Sequence, residues 1–226
     1  MPPLPALSRA FWREAPAVPR PDFNFYLITD RNHTKGRDLL WLIEEALDAG
    51  VKAIQLREKD LAGRDLFLLA ERVSRLCQDY HSSLFVNDRL DIALAVNAAG
   101  VQLGNASVPI RLARQLLGTQ KMIGVSTHSL NEAFEAQQQG ADFVLFGPVY
   151  FTPSKATYGA PQGLNKLKEI VEKILLPVYA IGGINLENIL NLRSLGVSRV
   201  ALISAIMSSD APKKSTTDLL RMIGSA

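Results

Sequence analysis

Residues 130–155 read LNEAFEAQQQGADFVLFGPVYFTPSK. Leu130 to Gln139 has helical spacing, and Gly140 stands where a helix stop in left-handed backbone belongs. Phe143 to Phe146 is then a short, wholly apolar run, as expected of a buried strand. The strand runs out into Gly147 and Pro148, which suit a turn, and on to Thr152, Ser154 and Lys155, which a turn does not require. Hydroxyls and a cation together suit phosphate oxygens. Helix, glycine stop, buried strand and polar loop make up one unit, and the rest of the chain repeats it.

Working outward, strand-length apolar runs occur at Tyr26–Ile28, Ala53–Leu56, Leu84–Val86, Val101–Leu103, Ile123–Val125, Phe143–Phe146, Val178–Ile181 and Val200–Ile203. Between them Leu39, Leu40, Ile43, Ala46 and Leu47 form one helical face, and Leu66, Leu69, Val73 and Leu76 or Cys77 another. Further helices are predicted at Arg111–Leu117, Leu130–Gln139, Asn165–Lys173, Asn188–Leu195 and Thr216–Ile223. Gly50, Gly140 and Gly196 punctuate helix ends. Strands alternating with helices predict a parallel sheet of the α/β class. Eight units in about 200 residues favour a closed (β/α)8 TIM barrel. An open doubly wound sheet is the competitor, but no GxGxxG follows the first strand.

The barrel is expected to occupy residues 23–226 as one catalytic domain. Residues 1–22, MPPLPALSRAFWREAPAVPRPD, read as a proline-rich extension with a short helix near Ala10–Glu14 and two aromatics, Phe11 and Trp12, available for packing. It has no long apolar stretch of the kind a secretory signal carries. With 47% hydrophobic residues in 226, a large core is available. The net charge of +3 is too small to argue for a nucleic-acid surface and suits small anions instead. A single cysteine, Cys77, excludes a disulfide framework and leads to the expectation of a reduced, cytoplasmic protein. No apolar run approaches the roughly 20 residues of a membrane span. The expected partners are therefore small molecules, with neither nucleic acid nor membrane, and a homo-oligomer is compatible with the reading.

In such barrels the active site sits at the C-terminal strand ends, and polar residues collect there: Thr29, Asp30 and Arg31; Gln55, Arg57 and Lys59; Asn87, Asp88 and Arg89; Gln102 and Asn105 to Ser107; Ser126, Thr127 and His128. Arg57 and Lys59, two apart, would face one side and bind a polyanion; the alternative is a solvated strand exit beside Glu58 and Asp60. Lys155 with Thr152 and Ser154 offers a second anion clamp. Gly182-Gly183 and Ile203-Ser204 could bring backbone amides to a phosphate, or the glycines could simply turn the chain. Asp88 is placed for Mg²⁺, though it could instead pair with Arg89 or cap the next helix. His128 could move a proton or hydrogen-bond the following helix. No Ser-His-Asp order, zinc spacing or Walker loop is present.

Taken in order, YLITD (26–30), QLREK (55–59), NDRLDIA (87–93), GVSTHS (124–129), GADFVLFGPVYFTPSK (140–155), AIGGI (180–184) and ISAI (203–206) resemble the thiamin-phosphate synthase and thiazole tautomerase (TenI) superfamily. The resemblance runs from Tyr26 to Ile206. It implies an enzyme that joins an aminopyrimidine diphosphate to a thiazole phosphate with Mg²⁺, releasing diphosphate. It further implies that Gln55, Arg57, Lys59, Asn87, Thr152, Ser154 and Lys155 serve the pyrimidine diphosphate. By the same resemblance Asp88 ligates magnesium, Ser126 contacts substrate, and Gly183, Ile203 and Ser204 hold the thiazole phosphate. One departure stands out. The synthase pattern after strand four is close to HxGQxD, and here Gln102 replaces its histidine and Ser107 its metal-binding aspartate. At that point, and in His128-Ser129-Leu130, the chain resembles the metal-independent tautomerase branch. There His128 would shuttle the proton that aromatises the thiazole carboxylate phosphate. A non-catalytic protein that binds thiamin precursors is a third, weaker reading. In the synthase reading the loop from Thr152 to Tyr158 is expected to close over substrate, because a reactive cation must be kept from water.

Overall fold

Every strand-length apolar run becomes a strand because it has two faces to bury. The computed structural model describes residues 20–153 and 159–224. Its strands are β1 (Phe25–Ile28), β2 (Ala53–Leu56), β3 (Ser83–Asn87), β4 (Gly100–Leu103), β5 (Met122–Thr127), β6 (Phe143–Phe146), β7 (Val178–Ile181) and β8 (Val200–Leu202). Each pairs in parallel with the next, and β8 returns to β1 through Phe25 opposite Val200, which closes the barrel. Around it run α1 (Leu39–Asp48), α2 (Gly63–Asp79), α3 (Leu90–Ala95), α4 (Ile110–Leu117), α5 (Leu130–Gln139), α6 (Gly163–Lys173), α7 (Ile189–Arg193), α8 (Ser204–Met207) and α9 (Pro212–Ile223).

The period of two along each strand sorts side chains into two cores. Leu27, Ile54, Leu56, Val86, Val101 and Val144 face the helices. Tyr26, Ile28, Ala53, Phe85, Met122, Phe143 and Tyr179 fill the barrel interior. Phe23 plugs the N-terminal end, its ring 5.2 Å from that of Tyr179 and 5.6 Å from that of Phe85. Tyr179 fixes the plug by donating its hydroxyl to the Phe23 carbonyl at 2.6 Å. Glycine makes room for the rings: a Cβ on Gly124 would stand 2.4 Å from Phe143 Cζ. With its lower half filled by aromatics, the barrel leaves the C-terminal mouth for chemistry.

Boundaries follow local chemistry. Gly140 ends α5 at φ +94°, and Gly50 and Gly196 also lie in left-handed backbone. Two helices were not foreseen, α3 and α8, and a 3-10 turn at Arg31–His33 also escaped. All three are too short for a helical period to show. α9 begins at Pro212, four residues before its expected start, with proline in its first turn. β8 stops at Leu202, because Ile203 turns away to cap α8. The extension's expected helix near Ala10–Glu14 lies outside the described residues. Among the described residues no helix is long and apolar enough to cross a membrane.

Candidate active site

The exits of β1 and β2 are tied together. Gln55 points inward, is 1% exposed, and donates through Nε2 to the Tyr26 hydroxyl at 3.4 Å. Arg57, two residues on, shares that parity; it is half-buried, while Lys59 is exposed. Neither forms an ion pair among the described residues. Glu58 lies on the opposite face of the strand. It is 4% exposed, accepts the Thr29 hydroxyl at 2.6 Å and pairs with Arg31. Lys59 and Asp60 are exposed, as a solvated exit has them, and Lys59 stands in a turn that the Leu61 amide closes on the Glu58 carbonyl at 3.3 Å, so the expectation that Arg57 and Lys59 share one strand face is corrected.

At the exit of β3, Asp88 has φ +61°, a conformation few non-glycine residues adopt. Its carboxylate is held on both oxygens. Asn87 Nδ2 donates to Oδ2 at 2.6 Å, and the Ser107 hydroxyl donates to Oδ1. Ser107 Oγ accepts in turn from the Gly104 amide at 2.6 Å. Arg89 does not compete: it pairs with Asp91, and α3 has no side-chain cap. Both alternatives for Asp88, an ion pair with Arg89 and a helix cap, are thus corrected. Ser107 stands against the carboxylate it was expected to assist, as a neutral hydrogen-bond partner. Among the described residues no three His, Cys, Asp or Glu side chains group as a metal cluster. A divalent cation would have Asp88 as its single carboxylate and would need ligand oxygens from elsewhere.

Asn87 lies opposite Gln102 on β4. Gln102, 1% exposed, donates through Nε2 to Ser126 Oγ at 3.1 Å. Its Oε1 is buried without a partner among the described residues. Ser126 and Ser107 line one cavity of about 180 Å³. His128, at the end of β5, sets Nδ1 against the Gly147 carbonyl. A carbonyl only accepts, so Nδ1 carries the proton and the neutral ring keeps Nε2 as a base. The backbone N–H of His128 meets Glu132, and Ser129 caps α5. Of the two roles weighed for His128, the hydrogen bond to the following helix is made, through the backbone N–H to Glu132.

The loop after β6 docks on the loop after β7. The amides of Val149 and Tyr150 donate to the carbonyls of Ile181 and Gly182, at 2.8 and 3.0 Å. Gly182 and Gly183 have φ +97° and +66°. A Cβ on Gly183 would stand 2.6 Å from the Phe151 carbonyl oxygen, and one on Gly182 would stand 2.6 Å from Pro148 Cα. The double glycine thus does more than turn the chain, because it admits the neighbouring loop. Ile203 is the N-cap of α8, and Ser204 is its first residue. Thr152 is half-buried near the mouth. Ser154, Lys155 and most of the loop expected to close lie outside the described residues. The reading of single motifs overlooked Glu58 and its tie to Thr29 and Arg31. The step from Arg57 to Glu58 was the available signal, since neighbouring residues at a strand exit take opposite faces.

The chain is similar to known proteins over most of its length. The family described as thiamine monophosphate synthase matches residues 25–206. A thiamine-phosphate synthase of Clostridium novyi is 46% identical over 189 residues, covering 84% of this chain and 93% of that protein. One from Clostridium acetobutylicum is 43% identical, covering 85% and 90%. The solved structure of thiamine phosphate pyrophosphorylase from Pyrococcus furiosus superposes with a TM-score of 0.81 at 38% identity, covering 89% of this chain and 95% of that one. A 3-hexulose-6-phosphate synthase shares the fold alone, at 17% identity and a TM-score of 0.63. On this match, the chain belongs to the thiamine monophosphate synthase family.

Proposed function

We infer that this chain is a transferase that forms thiamin phosphate, the activity for which its relatives are named. The observation that carries the reading is Asp88. A carboxylate locked in left-handed backbone, in the same mouth as Arg57 and Lys59, suits a diphosphate and a cation together. A reaction without a metal would have no use for it. The coupling breaks the bond between the pyrimidine methylene carbon and the diphosphate oxygen. The electron pair leaves with diphosphate, and the thiazole nitrogen bonds to the methylene carbon.

Catalysis then consists of holding both anions in place and neutralising the departing one. Arg57, Lys59 and Lys155, with Thr152 and Ser154, are assigned to the diphosphate. Gln55, Asn87 and Ser126 line the depth of the mouth on the pyrimidine side. The backbone at Gly183, Ile203 and Ser204 is assigned to the thiazole phosphate, where glycine and a helix start allow close approach. Mg²⁺ fits the hard oxygens of Asp88, and bound there it would neutralise diphosphate charge as a Lewis acid. Because Ser107 supplies no charge, the cation depends on substrate phosphate oxygens for the rest of its coordination. The closed barrel with no membrane-length helix among the described residues is consistent with a cytoplasmic enzyme acting on small molecules.

The test combines the purified protein, aminopyrimidine diphosphate, thiazole phosphate and Mg²⁺, with thiamin phosphate as the readout. Product that disappears in Lys155→Ala supports the reading, and no product at high protein concentration overturns it. His128 favours a second activity, because its Nε2 is left as a base at the mouth. The thiazole tautomer offered to wild type and to His128→Ala would be aromatised only by the first if His128 shuttles that proton. The non-catalytic reading is sustained only by precursor binding without turnover of either substrate set.

A further inference from the structure

We propose that Glu58 is a positioning residue for Arg57, acting from the outer face of the barrel wall. The proposal rests on the reading that this mouth takes a diphosphate. Leu27 and Leu56 face the helices, so Thr29 and Glu58, each two residues on, lie on that same face. Gln55 and Arg57 lie on the axis side by the same alternation. Strand pairing between β1 and β2 reaches Ile28 opposite Gln55, and the Thr29 amide donates to the Gln55 carbonyl at 2.9 Å. Beyond that rung side chains continue the ladder. The Arg57 amide donates to Thr29 Oγ1 at 2.9 Å, and the Thr29 hydroxyl donates in turn to Glu58 Oε1 at 2.6 Å. Glu58 Oε2 accepts the backbone N–H and Nε–H of Arg31, at 3.1 and 3.2 Å.

This chain of contacts does two things for an anion site. It ties the Arg57 backbone to Thr29 just past the end of β2, so that the Glu58 carboxylate and the Arg57 cation take opposite faces, and Lys59 follows in the turn that the Leu61 amide closes on the Glu58 carbonyl at 3.3 Å. It also separates charge. Arg31 is spent on Glu58 and, through Nη2 at 2.7 Å, on Asp60, whereas Arg57 and Lys59 meet no carboxylate among the described residues. A buried ion pair serving the fold alone could be replaced by apolar groups. Such a role would give no reason for Thr29 to link the Glu58 carboxylate to the Arg57 backbone.

The measurement is binding of inorganic diphosphate to wild type and Glu58→Gln by calorimetry, alongside KM for each substrate. Glu58→Gln keeps the shape and the bond to Thr29 but removes the charge that holds Arg31. The expected result is a Kd for diphosphate and a KM for the pyrimidine diphosphate each weakened about tenfold, with the KM for thiazole phosphate within about twofold of wild type. Unchanged diphosphate binding, or equal rises in both KM values, would overturn the proposal. Should Glu58→Gln fail to fold, Arg31→Met is measured in its place, and unchanged diphosphate binding there has the same consequence. Because diphosphate binding needs no turnover, a wild type that binds it but forms no thiamin phosphate would count against the proposed activity and leave the positioning test intact.

Discussion

At the scale of the residue, the pairing of Asp88 with Ser107 bears on the proposed cation site. On that reading a Mg²⁺ at this one carboxylate, hydrogen-bonded on both oxygens, would take the rest of its ligands from substrate. Asp88→Ala should therefore lower kcat/KM by about a hundredfold or more, as loss of a group stabilising leaving-group charge does. Ser107→Asp restores a second carboxylate that can still accept from the Gly104 amide. Titrating Mg²⁺ at fixed substrate should then give half-maximal activity at a concentration about tenfold lower than in wild type. An unchanged Mg²⁺ midpoint in Ser107→Asp would show that residue 107 lies outside the coordination sphere. Asp88 could be singled out as a candidate from the sequence, but its left-handed backbone could not. That conformation follows from contacts with Asn87 and Gln102, and Gln102 belongs to another strand.

At the scale of the element, residues 149–151 after β6 dock on the turn after β7, and Gly183 is the joint between them. Gly183→Ala would combine left-handed backbone with a Cβ 2.7 Å from Tyr150 Cβ, so the loop after β6 must move. The expected outcome is a rise in KM for both substrates, since the two loops serve the two anions, with a stability loss of about 1–3 kcal/mol in denaturant melts. A rise confined to thiazole phosphate would show that the loops move independently. Elements of this kind differ in how far a sequence reveals them. β2, β6 and β7 were legible to the residue because strands buried on both faces are short, mostly apolar runs, with Gln55 the one polar residue among them. α3 and α8 were not, because six and four residues cannot display a period of 3.6. The tie between Thr29 and Glu58 spans 29 positions, and only strand pairing reveals that the two meet.

At the scale of the whole molecule, the barrel interior sets a limit at high pH. Burial pushes the phenols of Tyr26 and Tyr179 and the thiol of Cys77 upward, Cys77 to about 12. Desolvation is the main cause in each case, and it favours the neutral form. In the unfolded chain these groups ionise near their ordinary values, about 8.5 for cysteine and about 10 for tyrosine. Above those values the unfolded state has lost protons that the folded state still holds, so stability falls as pH rises. Below them both states are protonated and the contribution is fully present. Urea midpoints should therefore be insensitive to these groups near neutral pH and should decline steeply above about pH 10. Tyr26→Phe should flatten that decline, since it removes a buried phenol whose one side-chain hydrogen bond among the described residues is a long one, 3.4 Å from Gln55 Nε2. An equally steep decline in Tyr26→Phe would place the alkaline limit outside the aromatic interior. The catalytic mouth lies above that interior on the same strands, with Gln55 touching both, so activity lost at high pH should follow the unfolding transition and recover on return to neutral pH.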